Sequence, residues 1–169
     1  MADRKHRAAT PPQTWAVGAA GAVVQQGRVL MVRSTYGQGK GRWVLPGGYA
    51  THDERLDQTV VREIREEAGV DAEVVDVIGL RTRYTEQGGA VFVLFRLRPQ
   101  SGTPRPDGVE VDRVAYFSAA EVEALGGDEI LAMARNASLA ALRGGAGLPE
   151  DERFPERSET YRGFLIERE

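Results

Sequence analysis

Two early stretches, Trp15 to Gln25 and Arg28 to Ser34, read as strands that meet at Gln26-Gly27, and the second shows alternation. Period-two alternation through Val29, Met31 and Arg33, with a turn dipeptide between the runs, predicts a β-hairpin. A glycine-rich loop, Gly37 to Gly41, leads into a short apolar piece, Trp43 to Leu45, and then Pro46-Gly47-Gly48. Two consecutive glycines permit backbone angles closed to other residues. From about Arg55 to Ala68 the period lengthens. Leu56, Val60, Val61, Ile64 and Ala68 fall within about 140° at 100° per residue, which predicts an amphipathic helix ended by Gly69.

Downstream, Glu73 to Ile78, Leu80 to Tyr84 and Ala90 to Arg98 read as strands. Val91 to Phe95 is apolar enough for burial on both faces. A further strand is expected over Glu110 to Phe117. Ser118 and Glu121 form a capping box for a helix to Leu125, and a last helix spans about Asp128 to Leu142. Strands on both sides of one long helix, with more helices after them, give mixed α and β layers. Residues 1–13 are polar, contain Pro11-Pro12, and are expected to form a flexible arm before a domain over 14–145. The stretch 146–169 is a charged tail with Tyr161, Phe164, Leu165 and Ile166 near its end. It has three readings: docked on its own domain, docked on a partner subunit, or free.

Composition narrows the function classes. The 169 residues suit one domain with one core, and a formal charge of −3 offers no surface for coating nucleic acid or membrane. With no cysteine, thiol catalysis, disulfides and a thiolate zinc site are excluded. Arg4, Lys5 and Arg7 precede the apolar run Ala16 to Val24, but that run is short, Ala- and Gly-rich, and continues into strand-like sequence. A cytoplasmic location is therefore expected, with no segment near the roughly 20 apolar residues that span a bilayer.

The candidate chemistry lies on the long helix. Glu63, Glu66 and Glu67 stand at i, i+3 and i+4, so three carboxylates share one helical face beside the apolar one. Like charges at that spacing oppose a helix by roughly 0.2–0.5 kcal/mol per pair, which points to cations that neutralise them. Mg²⁺ fits because it is hard, takes oxygen ligands and couples a few carboxylates to substrate phosphates. Arg62 stands four residues before Glu66 and can pair with it.

Gly48, Glu54, Arg62, Glu63, Ile64, Glu66, Glu67, Gly69 and Val70 meet every specified position of a known signature, the Nudix box. Ordinary residue frequencies would produce this with a probability on the order of 10⁻⁸. Over roughly Trp15 to Leu125 the chain therefore resembles the Nudix hydrolases. That resemblance implies an α/β fold, specifically an α/β/α sandwich around a mixed β-sheet. It also implies hydrolysis of a diphosphate linkage with Mg²⁺, or Mn²⁺ as a substitute, held by Glu63, Glu66, Glu67 and the carbonyl of Gly47. Arg62 is expected to orient a glutamate, and Glu54 to make a structural ion pair. Asp53 stands where the family often has glycine.

Substrate choice in the family is set outside the box. Tyr84 only loosely matches the tyrosine of dinucleoside-polyphosphate hydrolases, and Thr85 stands where many ADP-ribose enzymes carry proline. Arg33, Arg81, Arg83 and Tyr84 are candidate contacts for phosphate or base. Glu86 and Glu110, with Glu54, are candidate additional carboxylates. His52 is expected to be exposed or capping, and Trp15 and Trp43 to be core residues. The expected substrate is a small nucleotide-type molecule, with nucleotide sugars or ADP-ribose ahead of nucleoside triphosphates or dinucleoside polyphosphates. A catalytically silent ligand-sensing domain is the rival reading, and homodimers are common in the family.

Overall fold

A computed structural model of the chain describes residues 14–85, 88–150, 158–160 and 162–164. The hairpin forms as its alternation requires, with β1 (Trp15–Gln25) and β2 (Arg28–Ser34) antiparallel across Gln26 and Gly27. Both turn residues have positive φ, 49° and 70°, the signature of a two-residue hairpin turn. β3 (Trp43–Val44) pairs with β2, and β4 (Gly47–Tyr49) with the first half of β1. Next come the helix α1 (Leu56–Ala68) and the long strands β5 (Val70–Thr85) and β6 (Gly88–Gly102). The chain continues through β7 (Val111–Ser118), α2 (Ala119–Ala124), α3 (Ala132–Arg143) and β8 (Leu148–Pro149).

Among the described residues the strands form one eight-stranded mixed sheet. Its order is β3-β2-β1-β6-β5-β8, with β4 on β1 and β7 on β2. β1 runs parallel to β6, and the other pairings are antiparallel. Alternation along the strands supplies two cores. Ala19, Val23, Leu30, Val32, Phe95 and Leu97 pack with Val60, Ile64 and Ala68 of α1. Their neighbours Ala20, Ala22, Val29, Met31 and Leu94 face the other way, onto Val122 of α2 and Ala134, Ala137 and Ala141 of α3. Helices thus cover both faces, giving the expected α/β/α layering.

Three differences from the sequence reading have local causes. Gly79 does not break β5. A register shift between Val77 and Gly79 absorbs it as a bulge while β6 continues alongside. α3 starts at Ala132 rather than Asp128, because the Trp43 amide donates to the Glu129 carbonyl and the Leu131 amide to the Trp43 carbonyl. Backbone committed to that bridge cannot be helical. Trp15 is 52% exposed and is no core residue, whereas Trp43 packs edge-on to Phe117 at 4.8 Å.

The described part of the tail lies on its own domain. β8 pairs with β5 through Val77 and Leu148, Phe164 meets Phe95 edge-on at 5.8 Å, and Arg55 donates to the Glu159 carbonyl. The N-terminal arm over 1–13, Glu86, Tyr161, Leu165 and Ile166 lie outside the described residues.

Candidate active site

The α1 helix is held at both ends. The backbone N–H of Arg55 donates to the Gln58 side chain at 2.9 Å, and Gly69, with φ 68°, gives the left-handed C-cap. Its apolar stripe on the sheet fixes the rotation, so the neighbouring stripe brings Glu63 and Glu67 against β4. Glu67 is 6% exposed and accepts the Gly47 amide at 2.9 Å. Burial pushes its carboxyl up to about 8, the Gly47 amide opposes this, and the charges of Glu63, Glu110 and Asp107 add to it. Glu63 is also raised by burial, against the pull of Arg62.

Arg62 ties the box together. It donates Nε and Nη2 to Glu54 at 3.0 and 2.7 Å, and Nη1 to Glu63 at 2.8 Å and Glu66 at 3.0 Å. Nη2 also reaches the Tyr49 carbonyl at 3.3 Å. The Arg62 hydrogen bond holds the Glu54 carboxyl down to about 2. One guanidinium thus meets three carboxylates and the strand in front of them, with the paired geometry that a planar fork allows.

The two glycines of β4 are needed where they stand. A Cβ on Gly48 would lie 2.3 Å from Glu63 Oε1, so any side chain there displaces the carboxylate. Gly47 has φ 157°, and a Cβ would come within 2.3 Å of the Ala19 carbonyl oxygen. We expect Gly47→Ala to cost about 2 kcal/mol or more in urea unfolding, from the clash and the strained angle together. Gly48→Ala should instead lower turnover more than stability, because Glu63 can swing away. The opposite ranking would mean that β4 is not packed as described.

Beyond the box, the loop before β7 contributes Glu110. Asp107 accepts the amides of Val109, Val111 and Glu110 at 2.9, 2.9 and 3.3 Å, which folds that loop. Burial would raise the Asp107 carboxyl, but these amides hold it below the usual carboxylate value. Tyr36 faces the same centre. Burial, and then the charges of Glu110, Glu67 and Glu63, push its phenol up to about 12. Sequence reasoning named Glu110 and missed Tyr36 and Asp107. The Asp107-Gly108 turn dipeptide was the available signal for the latter.

The remaining candidates divide. Arg33 is taken up by Asp112, with hydrogen bonds of 2.8 and 2.6 Å, so it stands apart as an ion pair. Arg83 donates to Gln38 at 3.1 Å, and Tyr84 is 61% exposed beside it on β5. His52 sits exposed in the turn before α1. Arg81 lies over the Phe92 ring, 4.6 Å from its centroid, and its buried Nε has no hydrogen-bond partner. Arg81 and Arg83 line a cavity of about 370 Å³ with Trp15, Tyr49 and Gly89.

The box offers a divalent ion hard oxygen donors on a buried, anionic floor. Glu67 and Glu63 are both raised by burial and by other carboxylates, and a bound cation would relieve that. Among the described residues no three acidic or imidazole side chains already stand as a ligand set. The reason is visible: Arg62 spans Glu63 and Glu66. At Glu67 the amide of Gly47 donates a hydrogen bond. The donor chemistry fits, provided Arg62 shares those carboxylates. No helix among the described residues is long and apolar enough to cross a membrane.

The chain is similar to several known proteins. Residues 12–135 match the family model described as the NUDIX domain. A MutT-like protein of Streptomyces ambofaciens is 36% identical over 115 residues, covering 68% of this chain and 71% of that protein. The human nucleoside diphosphate-linked moiety X motif 6 protein is 34% identical over 92 residues, 52% of this chain but only 29% of its own length. Among solved structures, a NUDIX hydrolase from Nitrosomonas europaea superposes with a TM-score of 0.69 at 20% identity, over 80% of this chain and 93% of that one.

Proposed function

Because this chain belongs to the Nudix family of hydrolases, we propose that it cleaves the diphosphate linkage of a nucleoside diphosphate derivative with Mg²⁺. The observation that supports this most is the joining of Glu54, Glu63 and Glu66 by Arg62 in front of the buried Glu67. Glu63, Glu66 and Glu67 would hold the ion. When bound, Mg²⁺ supplies positive charge that screens the diphosphate and lowers the pKa of water.

The chain's own residues do the rest. Arg62 holds Glu63 and Glu66 beside one another and would share their oxygens with the ion. Glu67, fixed by the Gly47 amide, presents its carboxyl group on the buried floor of the centre. Tyr36 and Glu110 lie near enough to the box for electrostatic coupling with its glutamates. Nucleotide sugars and ADP-ribose rank ahead of nucleoside triphosphates, in keeping with the name of the human relative. The silent ligand-sensing alternative loses weight because every box glutamate is present.

The test is phosphate-ester release from a panel of nucleotide sugars, ADP-ribose, nucleoside triphosphates and dinucleoside polyphosphates, with Mg²⁺ and then with chelator. Chelator-sensitive cleavage of a nucleoside diphosphate derivative is expected. Turnover that survives chelation, or triphosphates cleaved faster than every diphosphate derivative, would overturn the reading.

A further inference from the structure

β4 has two faces. Gly48 looks toward α1, since a Cβ there would touch Glu63, so alternation turns the next residue, Tyr49, to the other side of the sheet. There its ring meets Phe92 edge-on at 5.2 Å and remains 56% exposed. Tyr49 joins the cavity lined by Arg81 and Arg83 to the box, since its carbonyl accepts from Arg62 Nη2 at 3.3 Å. Trp15 borders the same cavity, with its ring laid where a Cβ on Gly89 would come within 2.4 Å of it. Two half-exposed aromatic rings therefore flank two arginines.

The polar lining offers donors. Arg81, Arg83 and Thr14 line the space, and no described lining residue carries a carboxylate. Arg83 already donates one N–H to Gln38. Among the described residues the Arg81 side chain has no hydrogen-bond or ion-pair partner: its guanidinium lies over Phe92, and its buried Nε is unpaired. A rigid planar fork with free N–H groups matches two adjacent acceptors on one planar ligand. O6 and N7 of a guanine-type base have that pattern. Adenine sets an N6–H donor beside N7, which a guanidinium cannot satisfy.

We propose that this cavity is a base subsite that selects a 6-oxopurine, guanine or hypoxanthine, over adenine, with Arg81 reading the O6/N7 edge and Tyr49 and Trp15 covering the ring. The proposal rests on the hydrolase reading only for its link to the cleaved diphosphate. Within that reading it ranks GDP-linked compounds ahead of ADP-ribose.

The test is equilibrium binding of IMP, GMP, AMP and ribose 5-phosphate to the full chain in metal-free buffer. IMP and AMP differ in the base edge at C6, so their ratio decides the claim without any variant. IMP and GMP are expected to bind about tenfold or more tighter than AMP. In Arg81→Lys, which keeps the charge but loses the fork, that preference should fall toward one. Equal binding of IMP, AMP and ribose 5-phosphate would show a plain anion pocket and overturn the proposal. Tighter AMP, or no binding by any of the four, would overturn it as well. Because no turnover is measured, selective IMP binding in a chain that cleaves nothing would sink the hydrolase reading and leave the subsite standing.

Discussion

Glu67→Gln lowers kcat by on the order of 10³-fold while the protein stays folded. Glutamine keeps the shape, and its carbonyl oxygen still accepts the Gly47 amide that Glu67 accepts at 2.9 Å. What it removes is a negative charge on the buried floor of the centre, and with it a donor to a hard cation and a group able to take a proton. The stability readout separates this from misfolding. The Glu67 carboxyl is raised from 4.5 to about 8 by burial first. A raised acid is protonated alike in folded and unfolded chains below about 4.5, and its burial increasingly opposes folding as pH climbs to about 8. In metal-free buffer the variant should therefore match wild type at low pH and melt higher at pH 8. Mg²⁺ should raise the melting temperature of wild type and leave the variant nearly unchanged. Near wild-type turnover in Glu67→Gln would remove this carboxylate from the chemistry.

The part of the site that could be read in advance is the part carried by a single element. Glu63, Glu66 and Glu67 share a helix whose apolar period fixes which way they face, and Gly69 and the paired glycines mark its limits in one dimension. The hairpin and the Ser118 capping box were legible for the same reason, since each is decided by neighbours in sequence. The cavity was not. Trp15, Tyr49 and Arg81 come from three strands, and only the parallel pairing of β1 with β6 and the placement of β5 beyond it bring them together. Arg33 shows the converse. It alternates correctly along β2, yet Asp112 sits on the paired strand β7 and takes it out of the site. The tail is a similar case, because Phe164 finds Phe95 through tertiary packing that no local period announces.

Arg62→Ala should be costly in two separable ways. The guanidinium is shared among Glu54, Glu63 and Glu66, whose side chains are 13%, 13% and 58% exposed, while Arg62 itself is 31% exposed. Without it, two sheltered carboxylates lose their counter-charge and repel the third. Breaking a fully buried pair costs roughly 3–5 kcal/mol, and partial solvent screening here lowers the expectation to about 2–3 kcal/mol. Turnover should fall about 10²-fold, the scale of losing a group that orients ligands. Acid titration gives the signature. The Arg62 hydrogen bond depresses Glu54 from 4.5 to about 2, so the pair's stabilisation is full above about 4.5 and is lost as pH falls through 2. Unfolding measured from pH 5 down to pH 2 should show a steep acid limb in wild type and a flatter one in Arg62→Ala. Arg62→Lys restores charge without the fork, so it should recover part of the stability and little of the turnover. If lysine restores turnover fully, charge alone suffices, and the alignment of Glu63 and Glu66 by a planar guanidinium is not what the reaction needs.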